Sequence, residues 1–135
     1  GLYNKVMQQL ADNGVEVVEL SGVEPNPRIT TVNKGAQVCK EEGVDVVLAV
    51  GGGSTLDCAK VVAAAANYEG DAWDLVKDAS KVKKVLPIIT VLTLAATGSE
   101  MDAYAVISNM ETNEKLGTGH EEMKPKVSIP LYFMH

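Results

Sequence analysis

The sequence predicts an α/β fold, with a Rossmann-like parallel sheet flanked by helices. Two observations carry this prediction. Short, continuous apolar runs occur at Val46–Val50 and Ile88–Leu92, and helical patterns lie before and between them. Such runs are typical of strands buried on both faces, as in parallel sheets. Strands that alternate with helices indicate βαβ units, and 135 residues is the length of one domain.

Periodicity and turn residues place the remaining elements along the chain. The predicted helices are Tyr3–Asn13, Arg28–Glu42, Ser54–Asn67 and the short Ala72–Val76, and Gly14 and Gly43 are expected to end the first two. The other predicted strands are Val15–Leu20, Tyr104–Met110, Lys115–Gly119 and Val127–Ile129, with a turn at Glu111–Asn113. Asn26 and Pro27 form a suitable N-cap and first residue for the second helix.

Charge and apolar content exclude several functional classes. The chain has 12 basic and 18 acidic residues, a net charge of −6, which argues against binding nucleic acid or an anionic membrane surface. The longest uncharged run, Val85–Ser99, is shorter than the ~20 apolar residues of a membrane span and contains Pro87. No secretory signal is visible, so we expect a cytoplasmic protein in which Cys39 and Cys58 are reduced, packed thiols.

The three glycines Gly51–Gly53 lie between a predicted strand and a predicted helix. Glycines let backbone N–H groups approach a phosphate, and the helix N-terminus adds partial positive charge. The turn fits neither G-x-G-x-x-G nor the P-loop pattern, so a phosphate site and a tight structural turn remain alternatives. Asp57 could likewise form a capping box with Ser54 or pair with Lys60.

A second loop, Thr93–Ser99, follows the strand Ile88–Leu92 and carries three hydroxyl side chains. These hydroxyls could donate to a phosphate or ribose, or bond locally within a turn. Ligands bind at the carboxyl ends of parallel strands, so we expect this loop and the glycine turn at one edge of the sheet. His120 is expected in a surface loop, and no spacing in the chain suggests a metal site or a catalytic triad.

Three segments together resemble the iron-containing, or group III, alcohol dehydrogenases, in particular the bacterial butanol dehydrogenase branch. They are GVEPNP (Gly22–Pro27), VVLAVGGGSTLDCAK (Val46–Lys60) and TLAATGSEMDAYAVIS (Thr93–Ser108). The resemblance implies a two-domain, dehydroquinate synthase-like fold in which residues 1–130 form the nucleotide-binding domain without its first strand. Residues 131–135 would be an atypical tail. A helical domain outside this chain would hold a divalent metal, iron or zinc, through one Asp and three His.

The resemblance implies NAD or NADP as cofactor and assigns binding roles to particular residues. Gly52, Gly53 and Ser54 would hold the pyrophosphate. Asp57 would lie by the nicotinamide, and Asn26 would flank the nucleotide. No residue of this chain is expected to be catalytic or to bind the metal.

The remaining implied contacts come from the second loop and from the hairpin that follows it. Thr93, Thr97 and Ser99 would line the cofactor cleft. Asp102 would lie near the nicotinamide ribose, and Lys115 would reach the ribose or a phosphate.

The resemblance therefore implies part of an oxidoreductase that interconverts butanol-like primary alcohols and aldehydes, with this chain inactive alone. A homo-oligomer is compatible with it. Two alternatives stay open from the sequence: an NAD enzyme similar to dehydroquinate synthase, and a non-enzymatic α/β ligand-binding module.

Overall fold

A computed structural model of the chain describes residues 2–14, 26–92 and 102–130. The helices are α1 (Leu2–Asp12), α2 (Ile29–Glu42), α3 (Gly53–Ala65) and α4 (Trp73–Lys77). The strands are β1 (Val47–Gly51), β2 (Ile88–Leu92), β3 (Tyr104–Asn109), β4 (Glu114–Gly119) and β5 (Val127–Pro130). Single 3₁₀ turns occur at Ala79–Lys81 and Glu121–Met123. Three predictions lie outside the described residues: the strand Val15–Leu20, the loop Thr93–Ser99 and the tail 131–135.

The predicted parallel sheet is confirmed. Strands β1, β2 and β5 pair in that order, and both pairs are parallel. Gly51 and Leu92, the last residues of β1 and β2, are register partners. The chain therefore leaves both strands at the same edge of the sheet, where the sequence places the candidate site.

Strand β1 is less buried than its apolar sequence predicts. Ala49 is buried, but Val47, Leu48 and Val50 are only half-buried. Among the described strands, β1 pairs with β2.

Helix α3 is the centre of the described structure. It packs against β1 and β2 on one side and against β3, α2 and α4 on others. Every residue from Cys58 to Ala65 is buried, as expected for a helix that is covered all round. Small alanine and valine side chains make this close packing possible, in a chain with few aromatic residues.

The β3–β4 hairpin is confirmed, with Asn113 in its turn at a φ of 56°. It packs β3 onto α3, while the Thr118 hydroxyl of β4 donates to the Leu75 carbonyl of α4 at 3.3 Å.

Both cysteines are free thiols. Cys58 is buried, and partial burial raises the pKa of the Cys39 thiol. No helix within the described ranges is long and apolar enough to cross a membrane.

The predicted helix Arg28–Glu42 is confirmed to within one residue, but the predicted N-cap at Asn26 is wrong. The helix begins at Ile29, and its N-cap is Arg28, which is extended and makes no side-chain cap. The cause is tertiary pairing. The Pro27 carbonyl accepts from the Ser108 N–H at 2.9 Å, and Arg28 forms a parallel bridge with Ser108. This pairing keeps the backbone extended where the sequence alone favours a cap.

Gly43 ends α2 in the left-handed conformation, with a φ of 62° and open space where a Cβ would lie. Gly43→Ala should therefore lower the free energy of unfolding by about 1–2 kcal/mol, the cost of this conformation for an L side chain. The measurement is chemical denaturation. Lys34→Ala, at an exposed position of the same helix, is the control and should change it by no more than about 0.5 kcal/mol. Equal stability of both variants would contradict the left-handed helix end.

Candidate functional site

The glycine turn joins the end of β1 to the start of α3, and its three glycines occupy different positions there. Gly51 has a φ of 156°, and a Cβ on it would lie 2.8 Å from Thr55 Oγ1. Gly52 is the extended N-cap of α3, and a Cβ there would point into open space. Gly53 is the first residue of the helix.

The start of α3 is suited to an anion. Gly52 has no side chain to cap the helix, and no side-chain cap is formed there. Apart from its chain neighbours, no described residue lies within 4 Å of where a Gly52 Cβ would be, so the described part of the chain leaves room for a group to approach the start of this 13-residue helix. Such amides and the helix dipole favour negative charge. The residues of this turn therefore fit a phosphate group.

The alternative interpretation of Asp57 as half of a capping box with Ser54 is wrong. The N-cap is Gly52, and Asp57 lies in the second turn of the helix. Its Oδ2 accepts a hydrogen bond from the Val106 N–H at 3.3 Å. Asp57 therefore joins α3 to strand β3.

Lys60 makes a second link from α3 to the start of the same hairpin. Its side chain is fully buried, and its Nζ lies 2.8 Å from Asp102 Oδ1 and 3.0 Å from the Tyr104 carbonyl oxygen. From the sequence alone, Lys60 is expected only as a possible partner of Asp57. The missed signal was its place within the run Cys58–Ala66, where every other residue is apolar.

These contacts provide hydrogen-bond partners for backbone groups on the edge of β3 that does not face β4. Backbone groups of alternate residues point to the same edge of a strand. On this edge the Tyr104 carbonyl bonds Lys60, the Val106 N–H bonds Asp57 and the Ser108 N–H bonds Pro27. Two helix side chains and one loop carbonyl thus make the hydrogen bonds that a neighbouring strand would otherwise make.

The same contacts fix the direction of β3 along α3. Asp57 is nearer the helix start and contacts Val106, whereas Lys60 is farther along and contacts Tyr104. Strand β3 therefore runs back toward the glycine turn. Two residues advance a strand by about 6.6 Å, so Ser108 is displaced toward the helix start.

Asn26 and Lys115 come together at this end of the hairpin. Lys115 is the register partner of Ser108, and its Nζ donates to Asn26 Oδ1 at 3.4 Å. Both side chains are exposed. A cation and an amide, distant in sequence, therefore lie on the glycine-turn side of the hairpin.

Asp102 lies at the other end of β3. Its Oδ1 accepts from Lys60 Nζ and from the Tyr104 N–H at 3.1 Å, and its side chain is 52% exposed. Partial burial alone would raise the pKa of this carboxyl group. The hydrogen bonds from Lys60 and Tyr104, together with the Lys60 charge, outweigh it and lower the pKa. Asp102 is therefore ionised at neutral pH.

The structure thus describes seven of the ten predicted site residues and leaves Thr93, Thr97 and Ser99 outside its described ranges. Gly52, Gly53, Ser54 and Asp57 share the turn and the first two turns of α3. Asn26 with Lys115, and Asp102 with Lys60, form the two groups at opposite ends of β3.

No cluster of three His, Cys, Asp or Glu that could hold a metal ion occurs in residues 2–14, 26–92 and 102–130. His120 is half-buried, and its Nδ1 accepts from the Glu122 N–H at 3.1 Å, which caps the 3₁₀ turn Glu121–Met123. The described residues therefore do not fit a metal centre.

Comparison with known proteins gives a consistent result. The family profile described as "Iron-containing alcohol dehydrogenase" matches residues 1–130. NADH-dependent butanol dehydrogenase A of Clostridium acetobutylicum is 63% identical over 129 residues, which cover 96% of this chain and 33% of that protein. NADPH-dependent aldehyde reductase YqhD of Escherichia coli is 39% identical over 137 residues, 98% of this chain and 35% of that protein.

A solved structure agrees with these matches. The crystal structure of NADH-dependent butanol dehydrogenase A from Thermotoga maritima superposes with a TM-score of 0.92 at 49% identity, and the match covers 96% of this chain and 33% of that one. The chain therefore spans about a third of the length of the relatives that it matches.

Asp57→Ala should free the Val106 amide and lower the free energy of unfolding by about 1 kcal/mol, since a donor loses its acceptor. Hydrogen exchange read residue by residue by NMR is the measurement. The Val106 amide should exchange faster, whereas the Ile107 amide, which faces β4, should not change. Asp57→Asn keeps an acceptor oxygen and is the matched control. Unchanged protection of Val106 in Asp57→Ala would refute the contact.

Proposed function

Because the chain belongs to the iron-containing alcohol dehydrogenase family, we propose that it is the nicotinamide-nucleotide-binding part of an enzyme that interconverts butanol-like primary alcohols and their aldehydes. The observation that carries the proposal is the glycine turn between β1 and α3. It places a helix N-terminus that has no side-chain cap from Gly52, with room beside Gly52 among the described residues, at the edge where two parallel strands end.

In this proposal the pyrophosphate binds Gly52, Gly53 and Ser54 at the start of α3. Lys115 and Asn26, at the near end of the hairpin, supply a cation and an amide to the phosphate or ribose. Thr93, Thr97 and Ser99 follow β2 in the sequence and would add hydroxyl groups to the same cleft. The acidic residues Asp57 and Asp102 lie near the sugar and the nicotinamide in this proposal, because their carboxylates would repel the phosphates.

The nucleotide supplies or accepts the hydride, and the residues of this chain bind and orient it. Relatives named as NADH-dependent and as NADPH-dependent both occur, so NAD and NADP are both candidate cofactors. The family's metal is assigned to no residue of this chain. The names of the relatives favour a dehydrogenase over a dehydroquinate synthase-like enzyme or a non-enzymatic module.

Residues 1–130 form the nucleotide-binding unit in this proposal, and the protein works in the cytoplasm. Its partners are the nucleotide and a small alcohol or aldehyde, with neither nucleic acid nor membrane among them. A homo-oligomer is compatible with this function.

Activity is tested in a chimera in which the 129 matched residues replace their counterpart in the C. acetobutylicum enzyme. With Fe²⁺ present, NADH-dependent butyraldehyde reduction should stay within about tenfold of the parent enzyme, or about 1.4 kcal/mol of barrier. The isolated 135-residue chain should show no turnover, since its described residues hold no metal cluster. A folded chimera without reductase activity would contradict the proposal.

Gly53→Val in the same chimera should raise the dissociation constant for NADH at least about tenfold, because a branched side chain displaces the pyrophosphate from charge-assisted amide contacts. Gly43→Ala, which alters a glycine on α2 outside the site, is the matched control and should leave the dissociation constant unchanged. The measurement is NADH fluorescence titration of folded protein. An unchanged constant in Gly53→Val would show that the turn is structural only.

A further inference from the structure

The ammonium group of Lys60 is buried where an apolar side chain would pack at lower cost. Its side chain has no exposed surface, and it sits in the run Cys58–Ala66. A buried charge is costly unless it is paired and hydrogen-bonded. Here the Asp102 carboxylate and the Tyr104 carbonyl meet that need. The outcome of this arrangement is a fixed position for Asp102.

The described residues hold the Asp102 carboxylate through Oδ1 alone. Both hydrogen bonds that the described residues give to this carboxylate go to Oδ1, one from inside the fold and one from the Tyr104 N–H. The side chain is nevertheless half exposed. A carboxylate held in this way presents its remaining acceptor capacity to a ligand.

The position of Asp102 along α3 indicates which part of a bound dinucleotide it could contact. The Lys60 Cα is seven residues after Gly53, roughly 10 Å along the helix. Asp102 bonds to Lys60 and precedes Tyr104, at the end of β3 that is farther from the glycine turn. That is too far to touch a phosphate bound at Gly52 and Gly53, and charge repulsion disfavours such a contact in any case. It is within reach of the sugar at the far end of a dinucleotide whose pyrophosphate binds the turn.

We propose that Lys60 is a positioning residue, which holds the half-exposed Asp102 carboxylate so that it accepts a hydrogen bond from a hydroxyl of the nicotinamide ribose. This inference rests on the proposed function. Lys60 itself touches no ligand and acts through Asp102. The role is distinct from a contribution to stability, because it must appear in the affinity of one end of the nucleotide and not the other.

The test compares Lys60→Met, Asp102→Asn and the double variant in the full chain, with NADH and ADP as ligands. ADP carries the pyrophosphate and adenosine but lacks the nicotinamide ribose. Each single variant should weaken NADH binding by about tenfold, the effect of losing a hydrogen bond to a charged group. The double variant should be no weaker than either single one. ADP affinity should stay unchanged in all three.

Leu75→Ala, a buried position on α4, is the control for general destabilisation and should leave the affinity of folded protein for NADH unchanged. Additive losses in the double variant, or equal losses for NADH and ADP, would overturn the positioning role. A folded Lys60→Met variant with normal NADH affinity would overturn it as well.

A second readout does not depend on nucleotide binding. Among the described residues, the groups bonded to Asp102 are the Lys60 ammonium and the Tyr104 N–H, and Asp57 is the carboxylate that α3 itself directs to β3. In Lys60→Met, the NMR titration midpoint of the Asp102 carboxyl carbon should rise, since the favourable charge is gone. Lys126→Met, an exposed lysine paired with Glu122, should not move it. An unmoved midpoint in Lys60→Met would overturn the inference.

The two proposals can fail separately. If the full chain binds neither NADH nor ADP, the proposed nucleotide site fails in this chain, and the Asp102 titration still decides whether Lys60 holds the carboxylate. If Lys60→Met does not fold, wild-type protein decides instead. The Lys60 Nζ resonance should then move at the titration midpoint of Asp102, and an Nζ resonance that ignores this midpoint would overturn the link.

Discussion

The burial of helix α3 is the constraint on which the rest of the structure depends. The buried stretch Cys58–Ala65 cannot leave the Lys60 ammonium to water, so Lys60 must find partners in the layer that covers it, and the half-buried Asp57 one turn earlier bonds to the same layer. They find them on one strand edge, at Val106, Tyr104 and Asp102. The hairpin β3–β4 is therefore held on α3 by directional bonds, in a defined register as well as by apolar packing.

This register gives the candidate site its electrostatic order. The glycine turn and Lys115 provide a positive end, and Asp57 and Asp102 provide a negative region farther along α3. A dinucleotide has a matching order, with a doubly charged pyrophosphate and, when oxidised, a cationic nicotinamide ring. In the proposed function, the glycine turn would meet the pyrophosphate and the acidic region would meet the nicotinamide end of the nucleotide.

The sequence predicts those features that depend on neighbours along the chain. The apolar run before Gly51 predicts β1, and the polar turn before Glu114 predicts the hairpin; both are confirmed. Features decided by distant partners were not predictable. Local rules make Asn26 a helix cap, whereas pairing of Pro27 and Arg28 with Ser108 moves the helix start to Ile29. Local spacing likewise suggests Asp57 as a partner for Lys60 but gives no sign of Asp102, which the fold brings to the Lys60 ammonium.

Lysine at position 60 is not needed for packing, so its charge has to be explained by the position that it gives to Asp102. Methionine would fill a similar volume and avoid the cost of burying an ammonium group, and buried ion pairs often add little net stability. What methionine could not do is donate to Asp102 and Tyr104 at once. The charge is thus best explained by geometry: it converts an exposed carboxylate at the start of β3 into one with a fixed direction. Such fixed groups lower the ordering cost of binding, which is where a supporting residue affects affinity without touching the ligand.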